Sequence, residues 1–332
     1  MLRKSYLILL FALTSLIACQ DTVVPAGEAP TAPTSANYED LTSLFKEWRS
    51  FETPPMLDGA PDYKAETFTK RWPEFKKLQA RLNAIDYSKW PVAQQVDWHI
   101  VWAEMNGYDF NHRILKPWVR DPAFYKSLWE YRSDVPAHEG PTHHGTTEIW
   151  TYSFPLSDAE RERLLTDLKV IPVLNNQAKG NLTGNARDLW VAGIRDIQDQ
   201  ATGLAKILNR TGVVEDEELV QHIQLAISST EELASWLEEQ ADSKTGPSGI
   251  GKDNYTWYMQ NVHLVPLTWE DEVMILKREL ARAWSSLKLE EHRNRDLPEL
   301  VPADSPAAYD AMAERSARSL MDFLEKEEIV TV

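Results

Sequence analysis

The sequence predicts an all-α fold of about nine or ten helices in a multi-helical array, with one long proline-rich loop and no substantial sheet. Three observations favour this fold. Apolar residues after position 38 recur mostly every three or four residues, which is the spacing of a helix face. Glycine is scarce, with 13 in 332 residues, which disfavours architectures rich in tight turns. Helix-capping patterns precede several periodic segments, and no strand pattern of comparable length competes with them.

Four helices are predicted mainly from apolar stripes. The first two cover 63–84 and 92–114. The next two cover 190–208 and 219–237, where apolar residues again follow the helical period. Four consecutive carboxylates at 215–218 precede the last of these helices, and the dipole at a helix N-terminus favours negative charge there.

Capping signals predict where three further helices begin. Ser157 with Glu160 resembles a capping box, and the helix that follows should cover about 161–175. Proline in a helix interior removes a hydrogen bond and crowds the preceding turn, so Pro172 should kink this helix or end it early.

The other two caps lie near the C-terminus. Thr268 with Asp271 resembles a second capping box, in front of an apolar stripe that runs over 269–287. At 305–306 a serine N-cap is followed by proline at the first helical position, which predicts a final helix to about residue 327.

The exception to the helical pattern is the segment 116–155. It contains five prolines and several aromatic residues, and only 123–132 within it is a candidate helix. A stretch of this length without a strong element is often functional. We therefore expect this loop to contribute to a binding surface.

The N-terminus has the layout of a secretory signal. Two basic residues precede an apolar run over 6–17, which is too short for a spanning helix because that needs about 20 apolar residues. Leu16, Ala18 and Cys19 then resemble the lipobox of bacterial lipoproteins, with a branched residue three positions before the cysteine and a small one directly before it. The resemblance implies cleavage of a signal peptide at 1–18 and lipidation of Cys19.

We expect the mature protein to be lipid-anchored in the bacterial cell envelope. Gln20 rather than an aspartate follows the cysteine, and by resemblance to the lipoprotein sorting pattern this favours the outer membrane. The segment 19–37 is rich in Pro, Ala, Thr and Ser and shows no apolar face, so it should be a flexible tether. The helical domain is then predicted to span 38–332.

Composition excludes several classes of function. The chain has 35 Lys plus Arg against 51 Asp plus Glu, a formal charge of −16, which argues against a nucleic-acid partner because phosphate binding needs clustered cations. A single cysteine excludes an intrachain disulfide and a cysteine-rich zinc site.

A glycine-rich segment resembles a phosphate-binding loop only in part. Residues 246–253 match G-x-x-x-x-G-K, but Asp253 stands where a Ser or Thr hydroxyl would hold Mg²⁺. Such a loop should also follow a buried strand, whereas this segment follows a predicted acidic helix that ends near Gln240. We expect a connection between helices, with Asp253 in the first turn of the next one, and no bound nucleotide.

Three of the eight histidines lie close together in the proline-rich loop, namely His138, His143 and His144. A zincin motif needs histidines at positions i and i+4 on one helix face, but His138 and His143 are five apart with a Gly-Pro pair between them. Three alternatives stay open. The loop could form a metal site from His143, His144 and a distant carboxylate, or line a cleft as a polar loop, or be an ordinary exposed loop.

The 13 tryptophans support two interpretations. Those inside predicted helices favour core packing, and they are Trp48, Trp72, Trp98, Trp102, Trp236 and Trp284. Those in or near loops are candidates for stacking on a peptide or a sugar, and they are Trp118, Trp129, Trp150 and Trp257.

Two segments resemble the bacterial family known as domain of unknown function 885. The first runs from Arg120-Asp121-Pro122 to 131 and continues over 134–141. The second joins 251–255 to the helix that runs through 280. The resemblance covers most of 38–332. It implies a largely helical protein, often secreted or lipid-anchored, that resembles zinc metallopeptidases.

The motif that carries the chemistry in that family is missing from this sequence. Many members have a His-Glu-x-x-Pro-Gly-His type motif on a helix in their second half, with the glutamate as general base, and nothing here matches it. No catalytic residue or zinc ligand is therefore assigned, and we expect no cofactor in this chain, although a full-length family member could bind zinc. We expect either the N-terminal part of a longer domain or a member without the catalytic half.

Three functions follow as hypotheses. The chain could be the helical N-terminal part of a lipid-anchored metallopeptidase-like hydrolase, inactive alone; a non-catalytic lipoprotein that binds peptides or glycans; or a purely structural envelope protein. Its partners would be the membrane, through the lipid, and a peptide or glycan ligand. The candidate substrate-binding residues are Glu139, His143, His144 and Tyr255, in the loop 135–147 and at the start of a helix.

Overall fold

The computed structural model describes residues 36–132, 144–299 and 301–329. They form two compact units, one ending at Pro266 and the other beginning at Leu267. Ten α-helices and two small pairs of strands account for the regular structure in these residues, so the prediction of an all-α fold is confirmed. The predicted signal peptide and Cys19 lie outside the described residues.

The first unit contains eight of these helices. They are α1 (Tyr38–Glu52), α2 (Ala65–Asn83), α3 (Val92–Phe110), α4 (Pro117–Arg120), α5 (Asp158–Asn181), α6 (Arg187–Leu208), α7 (Glu217–Ala241) and α8 (Lys252–Asn261). A π-helical turn (Asn111–Leu115) follows α3, and 3₁₀ turns lie at Pro122–Tyr125 and Ile149–Thr151. Strands β1 (Met56–Leu57) and β2 (Ala60–Pro61) pair antiparallel, and β3 (Leu128–Trp129) and β4 (Thr147–Glu148) pair parallel.

An aromatic core joins α1, α2 and α3. Trp48 of α1 is 1% exposed and packs against Phe75 of α2 at 5.8 Å between ring centroids. Tyr108 of α3 contacts both, at 5.1 Å from Trp48 and 4.8 Å from Phe75. Aromatic rings bury large apolar areas and prefer such tilted and edge-on contacts, so this cluster fixes the three helices against one another.

A second core lies between α5, α6 and α7, whose inward faces carry leucine, isoleucine and alanine. Polar side chains inside it form hydrogen bonds, although Oδ1 of Asn175 has no partner among the described residues. Asn175 Nδ2 donates to Thr230 Oγ1 at 3.1 Å, and Gln200 Nε2 donates to the same oxygen at 3.3 Å. Gln200 Oε1 accepts from the backbone N–H of Leu128 at 3.0 Å, which attaches β3 to the helices. Because a buried polar group is costly without a partner, these bonds specify one packing of the three helices.

Two sequence expectations about helix extent are corrected. Helix α5 does not end early at Pro172 but continues beyond the expected residue 175 to Asn181, and a kink at Pro172 stays a prediction. Leu168 and Ile171 before the proline and Leu174 after it are all buried, and this packing offsets the cost of about 3 kcal/mol for proline in a helix interior. The candidate helix over 123–132 is instead a 3₁₀ turn followed by β3, because Gln200 bonds the backbone N–H of Leu128.

The predicted caps and the glycine-rich connection are confirmed. Ser157 with Glu160 and Thr268 with Asp271 both form capping boxes. The segment 246–251 joins α7 to α8, with Asp253 in the first turn of α8. Ser248 Oγ accepts hydrogen bonds from two backbone N–H groups at the start of α6, of which the shorter is 2.7 Å. The segment therefore works as a helix cap for α6.

The second unit contains α9 (Trp269–Arg293) and α10 (Pro306–Lys326). The stripe Leu276, Leu280, Trp284 and Leu287 is exposed by 47–64%, and no residue of α9 is buried. Trp284 is 54% exposed, so the expectation that it lies in the core is wrong. Within the part of the chain that is described, no helix is both long and apolar enough to cross a bilayer.

A pair of glycine substitutions tests the packing of α6. An added Cβ at Gly193 would lie 2.7 Å from Pro122 Cβ and 2.8 Å from the backbone nitrogen of Ala123, so α6 could not stay against the 3₁₀ turn. We expect Gly193→Ala to lower the free energy of unfolding by about 1–3 kcal/mol, measured by urea denaturation.

Gly180 in α5 is the matched control, since an added Cβ there meets nothing within 4 Å. Gly180→Ala should raise stability by a few tenths to about 1 kcal/mol, because alanine has the higher helix propensity. Equal effects of the two substitutions would contradict the tight contact at Gly193.

Candidate functional site

The first unit contains a cleft of about 810 Å³, which is in the range of small-molecule sites. Its walls come from α1, α2, α3, the π-helical turn, α4, the 3₁₀ turn at Pro122–Tyr125 and α8. The lining is mostly apolar and rich in rings, which are Phe45, Tyr63, Phe68, Tyr108, His112, Trp118, Phe124, His144, Tyr258 and His263. Largely apolar walls with a few polar groups are typical of a ligand-binding cleft.

The π-helical turn places two polar residues, Asn111 and His112, on the cleft wall. It ends at Lys116, which has a left-handed backbone (φ 44°, ψ 56°) and donates its N–H to Asn111 O at 2.7 Å. Single π turns within helices are rare and occur often at functional sites, because the wider turn shifts the side chains that follow it. The turn therefore marks this wall as the polar end of the cleft.

His112 is surrounded by aromatic rings. Its ring centroid lies 3.9 Å from that of Tyr108, 4.7 Å from Trp118 and 4.8 Å from Phe68. Its Nδ1 lies 2.7 Å from the backbone oxygen of Tyr108. Since a carbonyl oxygen only accepts, this contact assigns the proton to Nδ1 and leaves a lone pair on Nε2.

Burial keeps the imidazole of His112 neutral. Desolvation lowers the pKa of His112 to about 4, an effect that the bond to Tyr108 O and the charge of Asp109 oppose. The Nε2 atom is buried, and among the described residues no group hydrogen-bonds to it. Oδ1 of Asn111 is buried and unpartnered in the same sense. Two neighbouring residues thus hold buried acceptors without donors among the described residues, which is a costly arrangement.

Charged residues in the cleft are paired with one another. Arg49 Nη1 lies 2.8 Å from Glu52 Oε2 and 3.6 Å from Glu104 Oε2. Trp48 Nε1 also donates to Glu104 Oε2 at 3.3 Å. The positive charge of Arg49 is therefore offset by the carboxylates of Glu52 and Glu104.

Tyr63, another lining residue of the cleft, is held by two side-chain amides from α5. Gln177 Oε1 accepts from the backbone N–H of Tyr63 at 3.0 Å, and Asn181 Nδ2 donates to the backbone carbonyl oxygen of Tyr63 at 3.1 Å. Burial raises the pKa of the Tyr63 hydroxyl well above its usual value, so it stays protonated. This hydroxyl accepts the backbone N–H of His144 at 2.8 Å.

Helix α8 is placed beside the cleft by contacts with α3. Asn106 Nδ2 donates to the backbone oxygen of Asn261 at 3.1 Å, and Phe110 stacks on Trp257 at 5.5 Å with an interplanar angle of 7°. Gly107 allows the close approach, because an added Cβ there would lie 3.3 Å from Val262 Cγ1. These contacts bring Tyr258 to the cleft.

The structure brings together only part of the predicted set of binding residues. His144 lines the cleft, and burial, followed by the charges of Arg49 and Arg71, lowers its pKa. Tyr255 lies in the first turn of α8, one turn before Tyr258, and is not a lining residue. Glu139 and His143 lie outside the described residues. A role of these four residues in binding stays a prediction.

The tryptophan and histidine patterns in the sequence predicted some residues of the cleft and the core but missed others. Trp118, a candidate for stacking, does line the cleft, whereas Trp257 packs on Phe110 beside it. Trp48 and Trp98 are core residues as predicted. Sequence reasoning missed His112, and the signal that could have found it is a histidine one helical turn after Tyr108 near the end of an apolar helix.

In the described ranges, no group of three or more His, Cys, Asp and Glu side chains is arranged to hold a metal ion.

Comparison with known proteins shows a shared fold. No protein-family model matches the sequence, and no curated protein matches it significantly. A solved structure described as "a putative lipoprotein of unknown function from Shewanella oneidensis" superposes with a TM-score of 0.56 at 15% identity. The match covers 90% of this chain but 59% of the other, so the chain spans less than two thirds of that protein's length. At this identity the likeness shows the fold alone.

The neutral state of His112 predicts a pH dependence of stability. The unfolded chain takes up a proton on this histidine near pH 6.5, while the folded chain does so only near pH 4. The contribution of His112 to the free energy of unfolding is therefore complete above about pH 6.5 and is lost as the pH falls towards 4. We expect wild type to lose on the order of 2–3 kcal/mol more than His112→Gln over this range.

Urea denaturation at a series of pH values measures the difference. His222→Gln on α7, outside the cleft, is the matched control and should behave as wild type does. Parallel pH profiles for wild type and His112→Gln would contradict the buried neutral imidazole.

Proposed function

We propose that this protein is a lipid-anchored lipoprotein of the bacterial envelope whose aromatic cleft binds a peptide or a glycan without catalysis. The lipobox-like residues Leu16, Ala18 and Cys19 support the anchor, and Gln20 after the cysteine favours the outer membrane. The fold shared with a structure described as a lipoprotein agrees with this proposal.

The cleft is the observation that carries the binding function. It combines a volume of about 810 Å³ with walls rich in aromatic rings. Apolar walls around few oriented polar groups give both affinity and specificity.

A second candidate is the helical N-terminal part of a metallopeptidase-like hydrolase. It is supported by the segments 120–141 and 251–280, which resemble domain of unknown function 885. The two candidates differ in chemistry, because only the hydrolase requires zinc and turns over peptides. Stoichiometric zinc in the purified chain, by elemental analysis, together with peptide cleavage would favour the hydrolase over the binding protein.

Removal of the anchoring residue should release the protein from the membrane. We expect Cys19→Ser to move the protein from the membrane pellet to the soluble periplasmic fraction, since several acyl chains are needed for stable anchoring. Labelling with a radioactive fatty acid should disappear in parallel. Gln20→Asn, which keeps the cysteine, is the control and should stay labelled. Recovery of fatty-acid-labelled Cys19→Ser protein in the membrane pellet would refute Cys19 as the site of the lipid anchor.

Loss of one aromatic wall should weaken ligand binding. Phe45 lines the cleft from α1 and is half-buried. We expect Phe45→Ala to raise the dissociation constant for a bound peptide or trisaccharide about tenfold, since one aromatic contact contributes on the order of 1 kcal/mol. The probes are trialanine, cellotriose and triacetylchitotriose, followed by tryptophan fluorescence.

Lys46→Ala serves as the matched control for Phe45→Ala, because Lys46 is the next residue of α1, is exposed, and does not line the cleft. Its affinity should equal that of wild type. Binding that both variants leave unchanged would place the ligand elsewhere on the molecule and would refute the cleft as the site.

A further inference from the structure

We propose that one apolar face of the first unit lies against the bilayer that holds the lipid anchor. This α3 face consists of Val92, Val96 and Ile100 on α3 and Leu264 after α8. The inference rests on the proposed anchor at Cys19 and adds to it a second contact with lipid, made by the folded domain itself.

The α3 face is apolar and open to solvent. Val92 is 76% exposed, Val96 49% and Ile100 47%, and their spacing of four residues places them on one side of the helix. The opposite side carries Trp98 and Val101, which are buried. Because the outward face of a helix in a globular protein is normally polar, a continuous apolar stripe there indicates a surface that meets an apolar partner.

Leu264 extends this face beyond α3. Asn106 Nδ2 donates to the backbone oxygen of Asn261 at 3.1 Å and so holds the end of α8 against α3. Leu264 follows with a left-handed backbone (φ 58°), which bulky residues rarely adopt, and is 45% exposed. A shallow groove of about 590 Å³ lies between the two segments and is lined by Val96, His99, Ile100, Gln260, Leu264 and Pro266.

The chain from the predicted anchor enters the fold beside the α3 face. Nε1 of Trp90 donates to the backbone oxygen of Ala36 at 2.7 Å, and the ring of Tyr38 packs edge-on against Trp90 at 5.6 Å. Trp90 comes two residues before Val92, where α3 begins. The point at which the described chain starts is therefore fixed next to one end of the α3 face.

The length of the predicted tether keeps the α3 face near the membrane. Residues 19–35 separate Cys19 from Ala36, and a flexible segment of this length has a root-mean-square span of about 20–25 Å. A short tether of this kind gives an effective concentration in the millimolar range. A contact that would be too weak to hold a free protein on a bilayer is therefore sufficient here.

The charges favour a bilayer rather than a second copy of the chain. The sequence over 92–103 contains one Asp and no Glu, Lys or Arg, and Oδ2 of this Asp97 accepts the hydroxyl of Tyr38 at 2.6 Å. The α3 face can thus enter the lipid interface without removing an unpaired charge from water. Two copies would each carry a formal charge of −16 and would repel one another. Anionic headgroups would be repelled too, so the expected lipid is zwitterionic.

Contact of the α3 face with lipid would orient the cleft. Ile100 and Leu264 line the cleft as well as the shallow groove. The edge of the cleft would therefore lie at the membrane surface, where it would meet ligands from the space next to the bilayer.

Quenching of a fluorophore by brominated lipid tests the inference. The full chain is expressed with its signal sequence, so that Cys19 is acylated, and is reconstituted into phosphatidylcholine vesicles. Since the chain has one cysteine, Val92→Cys then provides a single thiol for a nitrobenzoxadiazole label. Brominated acyl chains should quench this label about twofold or more, because it enters the interface. Leu225→Cys on α7, at a site 52% exposed, is the control and should be quenched by about a tenth or less.

A charge placed on the α3 face should remove the contact. Val96→Glu, added to the labelled Val92→Cys protein, should at least halve the quenching, because the carboxylate would have to leave water. Val191→Glu on α6, at a site 44% exposed, is the matched control and should leave the quenching unchanged. Both variants change exposed residues, and circular dichroism verifies that each is folded.

Flotation of the vesicles separates this inference from the anchor on which it rests. Protein that does not float with the vesicles refutes the anchor and overturns the inference with it. Protein that floats while the label at 92 stays unquenched overturns the inference alone, and a blue-shifted but unquenched label assigns the face to a second copy. Equal quenching at 92 and 225, or quenching that Val96→Glu leaves unchanged, also overturns it.

Discussion

The cleft depends on one aromatic cluster centred on Tyr108. The ring of Tyr108 contacts Trp48, Phe75 and His112, and its backbone oxygen accepts the proton on Nδ1 of His112. One residue thus connects the core of α1, α2 and α3 to the polar end of the cleft. Burial raises the pKa of the Tyr108 hydroxyl to about 12, which reflects how little water reaches this cluster. The tautomer of His112, and with it the chemistry of the cleft, follows from this packing.

Helix α5 positions residues of the cleft wall through the side-chain amides of Gln177, which is buried, and Asn181, which is half-buried. Gln177 and Asn181 bond the backbone of Tyr63, and Asn181 also donates to the hydroxyl of Tyr125 at 2.9 Å. The Tyr125 hydroxyl in turn donates to the backbone oxygen of Trp118 at 2.9 Å. Two cleft residues, Tyr63 and Trp118, are therefore positioned by hydrogen bonds that begin at α5. Because Gln177 is buried, its loss would leave unpaired groups, and the wall should be rigid.

Helical periodicity and capping patterns predicted most helices, because both arise from residues close in sequence. The extension of α5 from residue 175 to Asn181 and the 3₁₀ turn at Pro122–Tyr125 were mispredicted, since tertiary packing and the bond from Gln200 decide them. The site was harder to predict. Trp118 and His144, which line the cleft, were candidates from the composition of the proline-rich loop. The burial of His112 also needs Phe68 of α2, which is distant in sequence, packed beside the nearby rings of Tyr108 and Trp118. No local pattern in the sequence encodes the π-helical turn.

His112 is a buried, neutral histidine whose proton lies on Nδ1, against the backbone oxygen of Tyr108. Two-dimensional ¹H–¹⁵N spectroscopy of the histidine side chains at pH 7 tests this most directly, since ¹⁵N shifts distinguish the imidazolium and the two neutral tautomers. We expect the neutral Nδ1–H tautomer for His112, assigned by its absence in His112→Gln. An imidazolium, or a proton on Nε2, would contradict this assignment.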